Sequence, residues 1–504
     1  MNNSRKPQPN DSNRSIGPRD TVIVREGKIL VLFAVLLPAL LTMAGLVIDG
    51  SLMMAEYRGA QHVADAAATA AARVLQMEEG IAAAQQRARE VVQAENGLTD
   101  AEVSVNIPPE DGPYAGNANF VEVEIVQPTE IRFYNFVGGQ RHQKVRTRAV
   151  AGFETSTAPA AIVVLDPDPK PFALPPLVGL PSLPSLLGGL EVLGAGQLRV
   201  DGALIVNTEW GGVDEDNNPS GNGPSPPYGA SCTPLLSLTK VLARDIRVVG
   251  GVDDPKNYGH FTAGKSSPLT ANSLPVPDPL ANLPVPTTSV DPTNVVATSY
   301  GGVQVIGLPL LPPRVLNPGV YDWIEIVSGR VTFTPGVYII RSVNPITQIG
   351  LNVLAGQVTA DGVMFYITNN GGYSLGSGSP DSGDGETAPA APGVGTLLPS
   401  AVINVGLLGS QYSGLDDPGS PFDGMMIYQR RQDRRPIVII NDDLLNNGSF
   451  GGRVYAKWGH VIVAGKGLFD ASFVAGTMRV IALLNMTLAP SQPLPPAEDV
   501  YLVE

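Results

Sequence analysis

The chain has 504 residues, 43% of them hydrophobic and 16% charged, which is ample for a core and argues against general disorder. Its formal charge of −14 argues against a nucleic-acid partner, since phosphate binding needs clustered Lys and Arg. A single cysteine, Cys232, excludes an intrachain disulfide and a Cys-rich metal site.

Residues 1–28 form a tail carrying Arg5, Lys6, Arg14, Arg19, Arg25 and Lys28 against Asp11, Asp20 and Glu26. Ile29 to Ile48 follow as an uncharged apolar run long enough for a helix to cross the hydrocarbon layer. Basic residues before the run, with Asp49 and Glu56 after it, place the N-terminus in the cytoplasm. Lys28 and Asp49 thus bound the span, because an ionised carboxylate strongly disfavours the bilayer interior. Thr42-Met43-Ala44 has the small-x-small form of a signal-peptidase site, so a cleaved segment competes with a retained anchor. The apolar residues continuing through Val47 and Ile48 favour the anchor. Pro38 should kink the helix.

Helix-favouring residues continue to Gln76, so the span should extend outward as a rod. Ala60, Ala64, Ala67, Ala68 and Ala71 recur at three- and four-residue spacing, a smooth stripe suited to packing against another helix, although plain Ala-rich helix propensity gives the same pattern. A second helix is expected over Ile81 to Glu95, then strands over Glu102 to Ile107, Phe120 to Val126 and Val145 to Phe153. Residues 49–155 thereby read as a helical stalk with a small α+β domain.

Three elements of this segment occur together: G-x-x-x-V-L-F-A-x-L-L-P from Gly27, the G-L-V-I-D-G that ends the apolar run, and Q-x-V-A-D-A-A-A-x-A-A-A up to Ala72. It resembles the N-terminal segment of TadE/TadG-like Flp pilus-assembly proteins. The resemblance implies a pilin-like α+β segment and partners among Tad pilus or secretion components, or other TadE/TadG-like helices. Prepilin peptidase substrates carry Glu at the fifth position after the cleavage Gly, whereas Gly27 is followed there by Leu32. That departure points to an assembly component that keeps its anchor.

From about Ala160, short β-branched runs alternate with Gly and Asn: Ile162 to Leu165, Gln197 to Val200, Ala203 to Asn207, Asp245 to Val249, Val303 to Ile306, Trp323 to Val327, Val331 to Thr334 and Gly336 to Ile340. Asn317-Pro-Gly-Val-Tyr321 recurs as Thr334-Pro-Gly-Val-Tyr338, and Asp361-Gly-Val-Met-Phe-Tyr366 as Asp423-Gly-Met-Met-Ile-Tyr428. Repeated strand-turn units with uneven insertions favour an irregular right-handed parallel β-helix over 160–490, with Val320, Val337, Val363 and Ile427 pointing inward. Similar stretches occur after the pilin-like segment in some TadG-like proteins, which extends the resemblance over most of the chain. Pro-rich stretches at 169–184, 224–227 and 275–286 read as loops or arms lying on the solenoid. Residues 371–395 read as a disordered insertion and 491–504 as a tail.

No residue set converges on chemistry. The acidic pairs Asp166/Asp168, Asp214/Asp216, Asp253/Asp254, Asp416/Asp417 and Asp442/Asp443 adjoin Pro, Gly or Asn and read as turn or cap residues. Asp214-x-Asp216-x-Asn218-x-Ser220 lacks the Gly and Glu of a calcium loop, and Asp166-Pro-Asp-Pro-Lys170 fails the D-x-S-x-S of a von Willebrand A metal site. His62, His142, His260 and His460 lack metal-ligand spacing. Cys232 reads as an exposed or half-buried thiol, and Arg430, Arg431, Arg434 and Arg435 as a solvated turn. The expectation is a mainly β, non-catalytic, cofactor-free protein. It would be anchored in the inner membrane with its C-terminal domain periplasmic or at the cell surface, in contact with lipid and envelope partners. Glycan binding is left open, and an adhesin or a surface-anchored β-helix enzyme acting on carbohydrate is the rival.

Overall fold

The computed structural model describes residues 28–133, 141–170, 185–234, 239–383, 385–390, 398–406, 409–441, 448–497 and 499–504. The chain divides into two compact units, one of residues up to Gly152 together with Leu502–Glu504, the other Phe153–Tyr501.

In the first unit, helix α1 runs unbroken over Lys28–Gln76, through the Thr42-Met43-Ala44 site. Pro38 lies within it and, lacking an N–H, cannot donate to the Ala34 carbonyl one turn earlier; the Thr42 hydroxyl donates back to the Pro38 carbonyl at 2.8 Å, as helical threonines do. After Gln76 the chain turns through Glu78 and Gly80, both at positive φ, into helix α2, Ile81–Glu90, and a π-helical turn, Val91–Glu95. The strands Glu102–Asn106, Phe120–Glu130 and His142–Gly152 then form an antiparallel sheet, and Tyr501–Leu502 adds a fourth strand. Val121, Val123, Ile125, Ala149 and Ala151 are buried, as is the alanine stripe of α1, whose neighbours are the two longer strands and α2. Glu122 and Glu124 carry the ion pairs to Arg148 and Arg146.

The second unit is built of parallel strands. Gly336–Ile340 pairs with Val363–Ile367, that strand with Met425–Gln429, and that one with residues 453–455. The intervening strands form two further such rows: Leu351–Val353, Ala401–Asn404, Ile437–Asn441 and residues 461–465 in one, Gly329–Phe333, Gly356–Ala360 and Gln411–Tyr412 in the other. Each strand thus pairs with its counterpart one turn of the chain later, and the three rows share one interior cluster. Like residues fall above like. Tyr321, Tyr338 and Phe365 stack inside at 5.8 and 5.6 Å, and Tyr366, Tyr428 and Tyr455 run outside at 5.0 and 5.1 Å.

The order along the stack is not the order along the chain. Residues 473–475, 478–482 and 486–488 of the long strand Ser449–Leu488 pair with Ile162–Val164, Leu190–Gly194 and Leu198–Val200, so the first turns of the unit lie beyond its last. The outward row continues through Leu198–Val206 and Val241–Val248 to Leu269–Ala271. From there the chain must return to the opposite end, where Ser299–Val305 pairs with Gly319–Ile326. The Pro-rich stretch makes that return lying on the outer side of one row, where Val276, Leu280 and Val295 cover Ile205, Val337, Ile339, Met364 and Tyr428.

Several expectations change. Val363 and Ile427 point into the interior, but Val320 and Val337 belong to the outer cluster beneath the returning segment, because tyrosine takes the inward position in Pro-Gly-Val-Tyr. Residues 371–383 and 385–390 are folded rather than disordered: Tyr373 donates to the Pro286 carbonyl, and the Tyr366 hydroxyl donates to Asp381 at 2.7 Å. Leu494 is buried, with its N–H on the Ala160 carbonyl, and the Val503 N–H donates to the Val150 carbonyl, so the described residues 491–497 and 499–504 are not a free tail. Most of the 169–184 stretch lies outside the described residues.

Candidate functional site at the anchor helix

The apolar residues of α1 stand clear of the fold. Leu30, Leu32, Phe33, Val35, Leu36, Leu37, Leu40, Leu41, Met43, Leu46, Val47 and Ile48 are all exposed, and among the described residues of this stretch only Gly45 is buried. A solvated helix of such composition would leave a large apolar surface in water, whereas hydrocarbon solvates it. One helix among the described residues is long and apolar enough to cross a membrane.

Where the span ends, the folded domain takes hold. Asp49 is buried, and its two carboxylate oxygens accept the backbone N–H groups of Arg132 and Phe133 at 3.2 and 2.8 Å. One turn earlier, Gly45 faces the Phe133 side chain, and a Cβ there would come within 2.7 Å of the ring-bearing carbon. A glycine is needed for that approach. Asp49 therefore does more than bound an apolar run: it satisfies two backbone donors at the point where the sheet segment meets the helix. The alanine stripe lies further along, at Ala60, Ala64, Ala67, Ala68 and Ala71, and is occupied by this chain's own sheet and second helix. Beside it Gln61 donates to the Arg148 carbonyl at 2.9 Å. Lys28 begins the helix.

The other candidates are consumed locally. Asp166 is buried against Arg434 at 2.8 Å, and burial pushes its carboxyl up while that guanidinium opposes the shift. It is a buried ion-pair partner rather than a simple turn residue. Asp168 accepts from the Trp210 indole at 3.2 Å. Asp214 closes an Asx turn on Asp216 and Asn218, and Asp254 caps the short helix Pro255–Asn257, both as read from sequence. Asp253 accepts from the Cys232 N–H and the Tyr258 hydroxyl. Asp417 shares the Asn294 amide with Asp291, which joins the returning segment to the loop before Met425. Asp442 and Asp443 lie outside the described residues. Cys232 is buried in the interior, and burial raises its thiol to about 12, so it is neither exposed nor half-buried. Among the described residues, no three His, Cys, Asp or Glu side chains are grouped to hold a metal ion.

The basic cluster is not a solvated turn. Arg430 pairs with Asp381, Arg434 with Asp166 and Arg435 with Asp433. Arg431 is buried, with its Nη2 facing the carbonyls of Leu280, Ala281 and Leu283 at 2.8–3.1 Å and its Nε donating to the Tyr455 hydroxyl. It fastens the returning segment to the strands. Sequence spacing gave no signal for this role, since its carbonyl acceptors lie about 150 residues away.

Residues 27–74 match the family model described as "Putative Flp pilus-assembly TadE/G-like". The matched residues coincide with α1 and include both the exposed span and the Asp49 collar. Neither the search of curated proteins nor that of solved structures returned a match.

Proposed function

We propose that this chain is a membrane-anchored, non-catalytic structural or assembly component of a bacterial Flp/Tad-type pilus or a related envelope apparatus. The observation that carries the reading is the coincidence of the 27–74 family match with a helix whose apolar residues are left uncovered. In this reading the basic tail stays in the cytoplasm, the span lies in the inner membrane, and both folded units lie beyond it. The face offered to partner helices is the exposed one from Leu30 to Tyr57, since the alanine stripe is already filled. The parallel strand rows and their like-on-like stacking support a right-handed parallel β-helix as the projecting module.

The test is deletion in a host that assembles such filaments, together with a photo-crosslinking residue at Leu41 or Val47. The reading expects loss or shortening of surface filaments and crosslinks to small single-helix membrane proteins. Unchanged filaments and no helix crosslink would contradict it. Glycan cleavage by the purified chain would favour the enzymatic rival instead.

A further inference from the structure

At the end of the strand rows where Ser299–Val305 begins, the segment joining this strand to Arg314–Leu316 carries the sequence Ile306-Gly-Leu-Pro-Leu-Leu-Pro-Pro313. Its apolar side chains point outward: Ile306 is 70% exposed, Leu308 68%, Leu311 53% and Leu310 97%. This is a protrusion, not a depression waiting for a side chain. Against its base lies a cavity of about 320 Å³ walled by Leu308, Leu311, Arg314 and Arg330. Both arginines are exposed, and their hydrogen bonds go to neutral acceptors, the Gln304 carbonyl and the Gln357 amide. Among the described residues neither pairs with a carboxylate, in a chain whose net charge is −14.

We propose that this loop is a membrane-surface wedge: Leu308, Leu310 and Leu311 enter the headgroup–acyl boundary of a bilayer, and Arg314 and Arg330 hold anionic lipid headgroups in the adjoining cavity. Apolar tips flanked by basic groups are the chemistry of interfacial binding. A second copy adding a strand is disfavoured by the loop itself, because Pro309, Pro312 and Pro313 have no N–H to give to a ladder. The inference rests on the anchored reading only in that the anchor holds the loop on a tether to lipid, which raises its effective concentration at the surface.

The test uses the full chain in vesicles of mixed zwitterionic and anionic lipid, with a fluorophore on one introduced cysteine at a time. The native Cys232 is buried, so the introduced thiol takes the label. Leu40→Cys reports on the span, Leu310→Cys on the loop, and Lys265→Cys on an exposed position beyond the strand Val241–Val248, at the other end of the rows. The proposal expects spin-labelled lipid to quench positions 40 and 310 but not 265, and the pair Arg314→Gln with Arg330→Gln to lower quenching at 310. Quenching at 40 with none at 310 overturns the wedge and leaves the anchor standing. Quenching at 310 with none at 40 sinks the anchor and leaves the wedge. Disulfide-linked dimers of Leu310→Cys without quenching assign the loop to a second copy and overturn the proposal. Quenching at 310 that ignores both arginine substitutions overturns the headgroup site.

Discussion

Asp49 shows how one carboxylate acquires a role that spacing alone assigns only in part. As the end of an apolar run it marks a boundary, but its oxygens also hold the N–H groups of Arg132 and Phe133. Asp49→Leu should leave both donors without an acceptor and cost about 1–3 kcal/mol of first-unit stability. Asp49→Asn, which keeps one acceptor oxygen, should cost less. Thermal melting in detergent ranks the two, and faster amide exchange at Arg132 and Phe133 locates the damage. His460 offers a second test. Burial, and after it the charge of Arg479, keep its imidazole well below the ordinary range, and its Nδ1 lies 2.5 Å from the Thr477 hydroxyl. The folded chain therefore refuses a proton that the unfolded chain accepts, so stability present above about pH 6.5 is lost progressively as pH falls from there towards the depressed folded value. His460→Gln should show a smaller loss of melting temperature than the parent between about pH 7 and pH 5. Equal losses would mean that another group controls the acid limb. Arg431→Lys should not substitute for the parent, since a single ammonium cannot reproduce a planar fork facing three carbonyls and a tyrosine. The expected result is protease cleavage within residues 275–286 while the strand signal in circular dichroism persists.

Among the elements, those with a clean local period were legible. The second helix was expected over Ile81 to Glu95 and occurs as Ile81–Glu90 plus a π-helical turn to Glu95, and Gly336–Ile340 forms at its expected limits. The inward face was harder to read. In Val363–Ile367 every residue is buried, because one side fills the interior and the other lies under the returning segment. A strand buried on both faces reads as a continuous apolar run, so alternation separates the two sides without saying which is inner. Residues 371–395 misled for a related reason. Over the described residues 371–383 and 385–390 their Gly and Ser content resembles a disordered linker, yet Tyr373 finds its partner at Pro286, 87 residues away, and Asp381 at Tyr366 on the preceding strand. Ile427→Ala, inside the stack, should cost about 2–4 kcal/mol. Val337→Ala, under the returning segment, should cost less, because the proline-rich cover is an irregular segment that can settle onto the smaller side chain. Chemical denaturation of the two variants checks the order.

For the whole molecule, the seam between residues 473–488 and 162–200 was illegible, because a pairing that joins turns about 300 residues apart leaves no mark in any local window. The long apolar helix was legible for the opposite reason: length and apolarity are both local. The same helix carries the family match, so the central claim rests on α1 spanning a bilayer with its basic tail in the cytoplasm and the folded units on the far side. The most direct measurement is protease protection of the full chain in bacterial spheroplasts, with an epitope joined ahead of Met1. The account predicts that added protease digests the chain beyond Asp49 while the epitope survives on a membrane-bound fragment until the membrane is broken. A soluble product beginning near Gly45, or an epitope digested in intact spheroplasts, would contradict it.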